Sequence, residues 1–273
     1  ENLLFGDRSN VNPQSDFRVA DIRDPEAMLK HSQGVDYFFH CAALLPAIQP
    51  PLEDPIEHQS VNVTGTLNCL RAAAEVGSAK FVFASTCAIY GQAKVFPTPE
   101  EAAPSLQTRP YSIQKYSAEQ HTLLMGARYD IPVVALRYFA TYGPRSFNQA
   151  KPSNSYSPVI GIFLKQAKEG NPLTVTGDGS QSRDFVNVQD VSRITISAAL
   201  SEANQEIYNV SSGTSVSILE LAQSISDNIV FIPRSVGEVD KVWGDNSKLY
   251  NHLSLRPEVS LENGISQLAN QLL

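Results

Sequence analysis

Apolar segments of strand length alternate with helical segments along the first half of this chain. Residues 36–40, 80–85 and 131–138 are predicted to be strands with apolar central residues, and residues 61–75 and 111–128 between them are predicted to be helices. Strands that are apolar on both faces are typical of a parallel sheet covered by helices on both sides. The pattern therefore predicts an α/β fold with a doubly wound parallel sheet.

The composition is that of a globular protein able to bury a large core. Its 273 residues are 42% hydrophobic and 18% charged, and the formal net charge of −7 argues against a general nucleic-acid binder. No uninterrupted apolar run has the length of a membrane span, so we expect no membrane partner. The cysteines, Cys41, Cys69 and Cys87, form no C-x-x-C pair. We predict buried, reduced thiols in a cytoplasmic protein and no metal site.

Tyr111 and Lys115 stand four residues apart in a predicted helix. Side chains at this spacing lie one above the other on the same helical face. An ammonium beside a phenol favours the phenolate, which lets the tyrosine act as a base near neutral pH. The hydroxyl of Thr86, upstream at a predicted strand end, can hold the substrate oxygen. This set suits proton removal from an alcohol during hydride transfer to a nicotinamide. An exposed lysine on an amphipathic helix is the alternative interpretation.

Three polar side chains follow predicted strands. His40, Thr86 and Tyr138 each lie at or just beyond a strand end. Ligands of parallel α/β sheets bind at the carboxyl ends of the strands. We therefore expect these side chains to point toward one crevice.

The composition changes after Tyr138. Residues 143–156 are rich in Pro, Ser, Asn and Gln, which is typical of a linker or a substrate loop. A helix over 158–169, a strand over 173–176 and a helix over 188–201 are predicted next. The apolar residues of 206–210 indicate a strand that returns to the main sheet. The order predicts a discontinuous second lobe rather than a separate C-terminal domain.

Eight short motifs occur in one order along the chain. They are H-C-A-A at 40–43, N-V-T-G-T at 62–66, S-T-C-A-I-Y-G at 85–91, Y-S-I-Q-K at 111–115, R-Y-F at 137–139 with Y-G-P-R at 142–145, G-D-G at 177–179 with R-D-F at 183–185, D-V at 190–191 and Y-N-V at 208–210. In these residues the chain resembles the NAD-dependent epimerase/dehydratase family. Members of that family are extended short-chain dehydrogenases/reductases that act on nucleotide-sugars. The resemblance covers essentially the whole chain.

The resemblance implies a domain organisation. Residues 1–145 with 186–210 are expected to form a Rossmann-type NAD-binding domain. Residues 146–185 with 211–273 are expected to form a smaller α/β lobe that binds the nucleotide-sugar. The family also implies a homodimer, built through the Tyr111 helix and the helix before it.

The resemblance also implies a segment that this sequence does not contain. The family begins with a strand and a G-x-x-G-x-x-G turn, whose backbone N–H groups bind the cofactor pyrophosphate. The early glycines, Gly6, Gly34 and Gly65, are far apart. We therefore expect an N-terminally truncated or incomplete sequence, and expect the 273-residue polypeptide alone to be unstable and to bind NAD poorly. A natural protein without a pyrophosphate site is the alternative.

The matching positions carry implied roles. Tyr111 resembles the catalytic base, Lys115 the residue that binds the nicotinamide ribose and lowers the pKa of the tyrosine, and Thr86 the hydroxyl bound to the reacting oxygen. The full set of implied NAD-binding residues is Glu1, Asp21, Ile22, Ala42, Ala43, Asn62, Ser85, Tyr111, Lys115 and Tyr138. Glu1 would bind the adenosine ribose and Asp21-Ile22 the adenine. Solvated loop carboxylates or a structural amide are the alternatives for Glu1, Asp21 and Asn62.

The substrate is implied to be a nucleoside diphosphate sugar, whose phosphates suit arginine. Besides Thr86, the candidates are Arg183, Arg234 and Arg145, of which Arg183 matches best. Arg234 is one residue out of the family's register, and a structural role is the alternative for Arg145. Ala140 stands where the family commonly has Asn, so the contact with the substrate tail is expected to differ.

The residues at positions 87 and 88, Cys87 and Ala88, limit the types of reaction that the chain is expected to catalyse. Family dehydratases carry Asp-Glu directly after the threonine, because elimination of water needs an added acid and base. Without these groups we predict a nucleotide-sugar epimerase, specifically a 4-epimerase of a UDP-hexose or its acid or N-acetyl form. A reductase or dehydratase of the same family and a non-catalytic sugar-nucleotide-binding protein are the alternatives.

Overall fold

The computed structural model describes residues 1–4, 6–45, 55–105, 110–145, 159–234 and 237–272. These residues form two compact units. Unit 1 consists of Glu1–Thr86, Arg109–Leu136 and Ser197–Ile207, and unit 2 of Cys87–Thr108, Arg137–Ile196 and Tyr208–Leu273. Most of the linker predicted over 143–156 lies outside the described residues, which resume at residue 159. The assignment of domains to the cofactor and to the substrate stays a prediction.

The described helices and strands alternate as follows. The helices are α1 (Pro25–His31), α2 (Pro55–Gln59), α3 (Thr66–Glu75), α4 (Pro110–Arg128), α5 (Val159–Lys168), α6 (Val188–Leu200), α7 (Ile218–Gln223), α8 (Ser247–Leu253) and α9 (Leu261–Leu272). The strands are β1 (Tyr37–His40), β2 (Lys80–Thr86), β3 (Val133–Tyr138), β4 (Ala140–Tyr142), β5 (Leu173–Thr176), β6 (Ser182–Arg183), β7 (Phe185–Asn187), β8 (Glu206–Val210), β9 (Val216–Ser217) and β10 (Ile229–Ile232).

The main sheet has the strand order β1-β2-β3-β8. Unit 1 holds β1, β2 and the first parts of β3 and β8. Strands β1 and β2 pair in parallel, with Tyr37 opposite Lys80 and His40 opposite Phe83. His40, Thr86 and Tyr138 are the last residues of β1, β2 and β3. The predicted α/β fold, with a strand at 206–210 joining the main sheet, is confirmed.

The core of unit 1 comes from β1, β2, β3 and the helices beside them. Its buried members are Met28, Cys69, Leu70, Ala72, Ala73, Phe81, Phe83, Ala118, Ile131, Val133 and Ala135. Burying such side chains stabilises the fold by roughly 1.5–3 kcal/mol for each large one. Gly126 allows α4 to pack tightly, because a Cβ there would lie 2.5 Å from Cγ1 of Val133.

The helix predicted over 61–75 is divided in two. Residues Ser60–Gly65 form a wide, π-helical turn before α3 begins at Thr66. The hydroxyl of Thr66 donates to the carbonyl oxygen of Asn62 at 2.7 Å. The Asn62 side chain turns inward to bond the backbone of Leu44. Wide turns of this kind are frequent at functional sites, and hydropathy spacing alone does not reveal them.

The described residues of unit 2 form three two-stranded sheets. β5 pairs with β10 and β4 with β7, both in parallel, and β6 pairs with β9 in antiparallel fashion. The unit has its own apolar core, whose buried members are Tyr142, Ile160, Phe163, Leu164, Leu173, Val175, Phe185, Ile218, Leu221, Ala222 and Leu268. Helix α7 begins with a capping box in which Ser217 and Glu220 each bond the other's backbone N–H.

The three cysteines are unpaired thiols. Cys69 is buried with its Sγ 3.7 Å from Sδ of Met28, as predicted. Cys41 is exposed, so the prediction of a buried thiol is wrong there, because this residue follows the last residue of β1. None of the described helices is long and apolar enough to cross a membrane.

Candidate active site

Unit 1 contains all three predicted catalytic residues. Thr86 is the last residue of β2, and Tyr111 and Lys115 lie on α4, which packs against that strand. Both α4 side chains are buried. The alternative of an exposed lysine on an amphipathic helix is therefore wrong. A buried ammonium on the tyrosine's helical face supports the predicted assistance to phenolate formation.

The ammonium of Lys115 lies against an aromatic ring. Nζ is 4.1 Å from the ring centroid of Phe83, within the range of a cation–π interaction. Burial lowers the pKa of Lys115 to about 8, and the nearby Cys41 and Glu119 oppose that shift. The lysine therefore carries its charge at neutral pH and loses it under mildly alkaline conditions.

Ser85 and Glu119 form a buried hydrogen bond beside this lysine. The Ser85 hydroxyl donates to Oε2 of Glu119 at 2.6 Å, and both side chains are buried. Ser85 was predicted to bind the cofactor; in this structure its hydroxyl bonds a carboxylate. Glu119 was not predicted as a site residue. Its position four residues after Lys115 is the signal that could have identified it.

His40 is a neutral member of the same region. Its Nε2 lies 2.9 Å from the hydroxyl of Thr66, and its ring centroid is 5.8 Å from that of Phe83. Burial and the charge of Lys115 lower the pKa of His40 to about 3. The histidine is therefore uncharged near neutral pH, and its contacts with Thr66 and Phe83 hold the end of β1.

Asn62 holds the segment that follows β1. Its Oδ1 accepts from the N–H of Leu44 at 2.7 Å, and its Nδ2 donates to the carbonyl of Leu44 at 2.9 Å. Nδ2 also donates to Oε1 of Gln114 on α4 at 3.0 Å. The amide thus fixes the backbone next to Ala42 and Ala43, which were predicted to contact the cofactor.

The residues predicted to bind adenosine lie near the start of the chain. The Arg23 guanidinium donates to the Asp21 carboxylate at 3.0 and 2.7 Å. These hydrogen bonds are the main reason why the pKa of Asp21 is lowered to about 2. Ile22 packs so closely on Gly65 that a Cβ there would lie 2.5 Å from its Cδ1. Oε1 of Glu1 accepts from the N–H of Leu3 at 2.7 Å.

The polar side chains of unit 1 suit the two ends of a dinucleotide. The buried ammonium of Lys115 and the phenol of Tyr111 suit the hydroxyls of a nicotinamide ribose, and the Asp21 carboxylate suits the adenosine end. The sequence contains no G-x-x-G-x-x-G turn, so no residue is assigned to the pyrophosphate.

In unit 2, Arg183 and Arg234 share one carboxylate. Nη2 of Arg183 lies 3.5 Å from Oε1 of Glu238, and Nε of Arg234 lies 3.8 Å from Oε2 of the same residue. Nη1 of Arg183 donates to the carbonyls of Ser182 and Val239, both at 2.8 Å. Arg234 also pairs with Asp240. The structure thus brings these two predicted residues together, and it adds Glu238, which sequence reasoning missed.

The remaining predicted residues also belong to unit 2. The hydroxyl of Tyr138 lies 2.7 Å from that of Thr195 on α6. Arg145 is exposed and has a left-handed backbone with φ of 66°. Ala140 begins β4 and bonds through its N–H to the carbonyl of Asp184 at 3.0 Å. Their roles toward cofactor and substrate stay predictions.

The fold and this site define a class. A Rossmann-type sheet, a Ser-Thr strand end and a buried Tyr-x-x-x-Lys helix together characterise an extended short-chain dehydrogenase/reductase. Comparison with known proteins narrows the class. The sequence profile of the NAD-dependent epimerase/dehydratase family matches residues 2–211. The chain belongs to this family, whose cofactor is NAD.

Relatives and solved structures agree with the family assignment. A Methanocaldococcus jannaschii protein, provisionally named UDP-glucose 4-epimerase, is 33% identical over 99% of this chain and 88% of its own length. A UDP-N-acetyl-alpha-D-glucosaminuronate decarboxylase of Bacillus cytotoxicus is 34% identical over 90% of this chain and 79% of its length. Two crystal structures of UDP-glucose 4-epimerases are also similar.

The first, from Thermotoga maritima with UDP-glucose, has a TM-score of 0.92 and 31% identity, covering 100% of this chain and 89% of that chain. The second, from Thermus thermophilus with NAD, has a TM-score of 0.86 and 29% identity, covering 98% of this chain and 88% of that chain.

Proposed function

We propose that this protein is an NAD-dependent nucleotide-sugar epimerase that inverts C4 of a UDP-hexose or of its acid or N-acetyl form. The observation that carries the proposal is the buried pair of Tyr111 and Lys115 on one face of α4, beside the strand that ends in Thr86. The names of the similar proteins support the UDP-sugar class.

The protein's own residues move the proton. The phenolate of Tyr111 accepts the proton of the C4 hydroxyl, and the hydroxyl of Thr86 donates a hydrogen bond to the same oxygen. The Lys115 ammonium lowers the free energy of the phenolate by Coulomb attraction in a low-dielectric interior. When bound, NAD would supply the hydride acceptor for C4 and then the donor that returns the hydride. After the keto-sugar has rotated to present its other face, the Tyr111 phenol returns the proton to the C4 oxygen, so the residue ends in its starting state.

The substrate's diphosphate is assigned to Arg183 in unit 2. Its guanidinium is held by two backbone carbonyls and by Glu238, so its orientation is largely fixed before a ligand binds. A fixed planar guanidinium suits the oxygens of a diphosphate. Arg234 and Arg145 are more exposed and are assigned secondary roles.

Epimerisation is favoured over dehydration by the residues after Thr86. Cys87 and Ala88 occupy positions at which elimination of water would need an acid and a base. Burial raises the pKa of the Cys87 thiol to about 12, so it cannot serve as a base near neutral pH.

The test is a substrate panel with the full-length gene product. UDP-glucose, UDP-glucuronate, UDP-N-acetylglucosamine, dTDP-glucose and a GDP-sugar would each be incubated with the protein and NAD. Products would be separated by chromatography and weighed by mass spectrometry, with NADH absorbance recorded. An isomer of equal mass without net NADH supports the epimerase. Net NADH change indicates a reductase, loss of water a dehydratase, and loss of carbon dioxide a decarboxylase. No product and no bound NAD would favour a sugar-nucleotide-binding protein.

We also propose a cytoplasmic homodimer. The three free thiols support a reducing compartment. Ile113 and Leu124 are 53% and 59% exposed and lie three turns apart on one side of α4, which supports a helical dimer surface. Recovery of the protein with membranes after cell fractionation would contradict the cytoplasmic location.

A further inference from the structure

Two opposite charges are buried one helical turn apart on α4. Glu119 is 0% exposed and Lys115 is 3% exposed. An unpaired charge in a protein interior is costly, whereas a paired and hydrogen-bonded charge is tolerated. Because side chains four residues apart are neighbours on a helix, each charge lowers the cost of burying the other.

Strand β2 supplies one group to each charge. Phe83 and Ser85 are two residues apart, so their side chains leave the same face of the strand. The Phe83 ring meets the ammonium of Lys115 at 4.1 Å, and the Ser85 hydroxyl bonds the Glu119 carboxylate at 2.6 Å. The next residue along the strand is Thr86, the proposed substrate contact.

The other groups that act on the Lys115 charge come from β1 and α4. His40 is neutral, since burial lowers its pKa to about 3. Cys41 follows β1 and keeps an exposed surface, yet desolvation by the atoms around its Sγ raises the pKa of the thiol, so it is uncharged near neutral pH. Tyr111 lies one turn before Lys115 on α4. In the described part of the chain, the carboxylate acting on this lysine is that of Glu119.

We infer that Glu119 is a positioning residue for Lys115. Its carboxylate stabilises the ammonium in the interior of unit 1, and the hydrogen bond from Ser85 fixes that carboxylate to β2. The inference deepens and rests on the proposed function, because Lys115 assists Tyr111 only while it is protonated. Glu119 is assigned no contact with substrate or cofactor; it acts through the lysine.

The first test follows the titration of Lys115 in Glu119→Gln. This substitution keeps an oxygen that can accept from Ser85 and removes the charge. Carbon-13 NMR of labelled lysines, with the resonance assigned from Lys115→Met, would report the Lys115 pKa without any need for activity. We expect Glu119→Gln to lower this pKa, and the alkaline limit of kcat/KM with it, by about one pH unit.

The matched control is Glu75→Gln on α3. Glu75 pairs with Arg71 at 2.5 Å on the surface of unit 1. Glu75→Gln also removes one negative charge, but at a site that does not adjoin Lys115, so it should leave the Lys115 pKa unchanged. An unmoved Lys115 titration in folded Glu119→Gln, or an equal shift in both variants, would overturn the inference.

A double-mutant cycle covers the case in which Glu119→Gln folds poorly. If the carboxylate serves the ammonium, the substitution should lower the melting temperature in the wild type but not in a Lys115→Met background. An equal loss in both backgrounds would show a structural role only and overturn the inference. Failure of the epimerase proposal is distinguishable, because the titration and the cycle can be read even if no nucleotide-sugar is converted.

Discussion

The ammonium of Lys115 lies 4.1 Å above the ring of Phe83, so a charge proposed to assist catalysis is held against the aromatic core of unit 1. Burying an ammonium is unfavourable, and the pKa of about 8 records that cost. In the proposed mechanism, the same burial strengthens the attraction between the ammonium and the phenolate of Tyr111 on the preceding turn of α4.

The pH dependence of stability should show this cost. Lys115 has a pKa of about 8 in the folded protein against 10.5 when solvated, so the unfolded chain binds more protons between these values. The free energy of unfolding should therefore rise with pH across this window, relative to Lys115→Met, by about 3 kcal/mol. Denaturant unfolding of both proteins at several pH values measures the difference. Lys30→Met, at an exposed site on α1, is the control, and its free energy of unfolding should change with pH as that of the wild type does. A difference between wild type and Lys115→Met that does not change with pH would contradict the assignment.

The two arginines that share Glu238 should differ in their effect on substrate binding. The Arg183 side chain is 21% exposed and bonded to two carbonyls, whereas Arg234 is 39% exposed and also pairs with Asp240. We expect Arg183→Lys to raise KM for the nucleotide-sugar about tenfold or more, with little change in kcat, because a lysine cannot present the planar fork. Arg234→Lys is the matched variant and should change KM much less. Steady-state kinetics with the substrate found in the panel decide this, and equal effects of the two variants would refute the distinction.

Asp184 should be the most sensitive carboxylate of unit 2. Its buried oxygens accept from the N–H groups of Ser212, Gly213 and Gly244 at 2.7, 3.2 and 3.2 Å, and from the Ser212 hydroxyl at 2.7 Å. Asp184→Asn replaces one of the two acceptors with a donor that faces other donors. We expect a loss of about 2–4 kcal/mol in chemical denaturation. Asp178→Asn is the control in the exposed loop after β5, where little change is expected. An Asp184→Asn variant as stable as the wild type would contradict this prediction and show that the surrounding N–H groups find other acceptors.

The exposed apolar positions of α4 should decide the oligomeric state. Placing a charge in an apolar interface leaves it desolvated and unpaired, so Ile113→Glu is expected to convert a dimer to a monomer. Light scattering after size-exclusion chromatography gives the mass directly. Gln33→Glu adds the same charge at an exposed position outside α4 and should leave the mass unchanged. A monomeric wild type, or a dimer that tolerates Ile113→Glu, would remove α4 as the interface.

The strands that build the main sheet could be predicted from their largely apolar sequence. Burial on both faces holds for β2 and β3, whereas β1 leaves Tyr37 and Phe39 exposed. Residues 36–40, 80–85 and 206–210 were predicted to be strands from the apolar residues that they contain, and they form β1, β2 and β8 with bounds within one residue. Helix α4 was predicted to within one residue, although its buried face carries the polar side chains of the site. These elements are determined by local sequence that agrees with their burial.

Other features depend on tertiary partners and could not be derived from local pattern. The two- and three-residue strands β4, β6, β7 and β9 exist only through pairing with one another. The wide turn at 60–65 follows from the bonds of Asn62 to Leu44, which is distant in sequence. The spacing of Glu119 from Lys115 suggests that the two are neighbours on a helix, but only the fold shows that Glu119 is buried. No sequence spacing indicates that Glu238 is shared by two arginines.

The central claim is that Tyr111 is the base of an NAD-dependent epimerisation. The most direct measurement is the rate of isomer formation by full-length wild type, Tyr111→Phe and Tyr116→Phe, with NAD bound to each at saturation. Tyr116 lies on the same helix and is partly exposed, so its substitution also removes one phenol hydroxyl. We predict wild-type epimerisation without net NADH, a loss of about 10²–10⁴-fold in Tyr111→Phe, and a near-wild-type rate in Tyr116→Phe. Isomer formation by Tyr111→Phe at the wild-type rate would contradict the account.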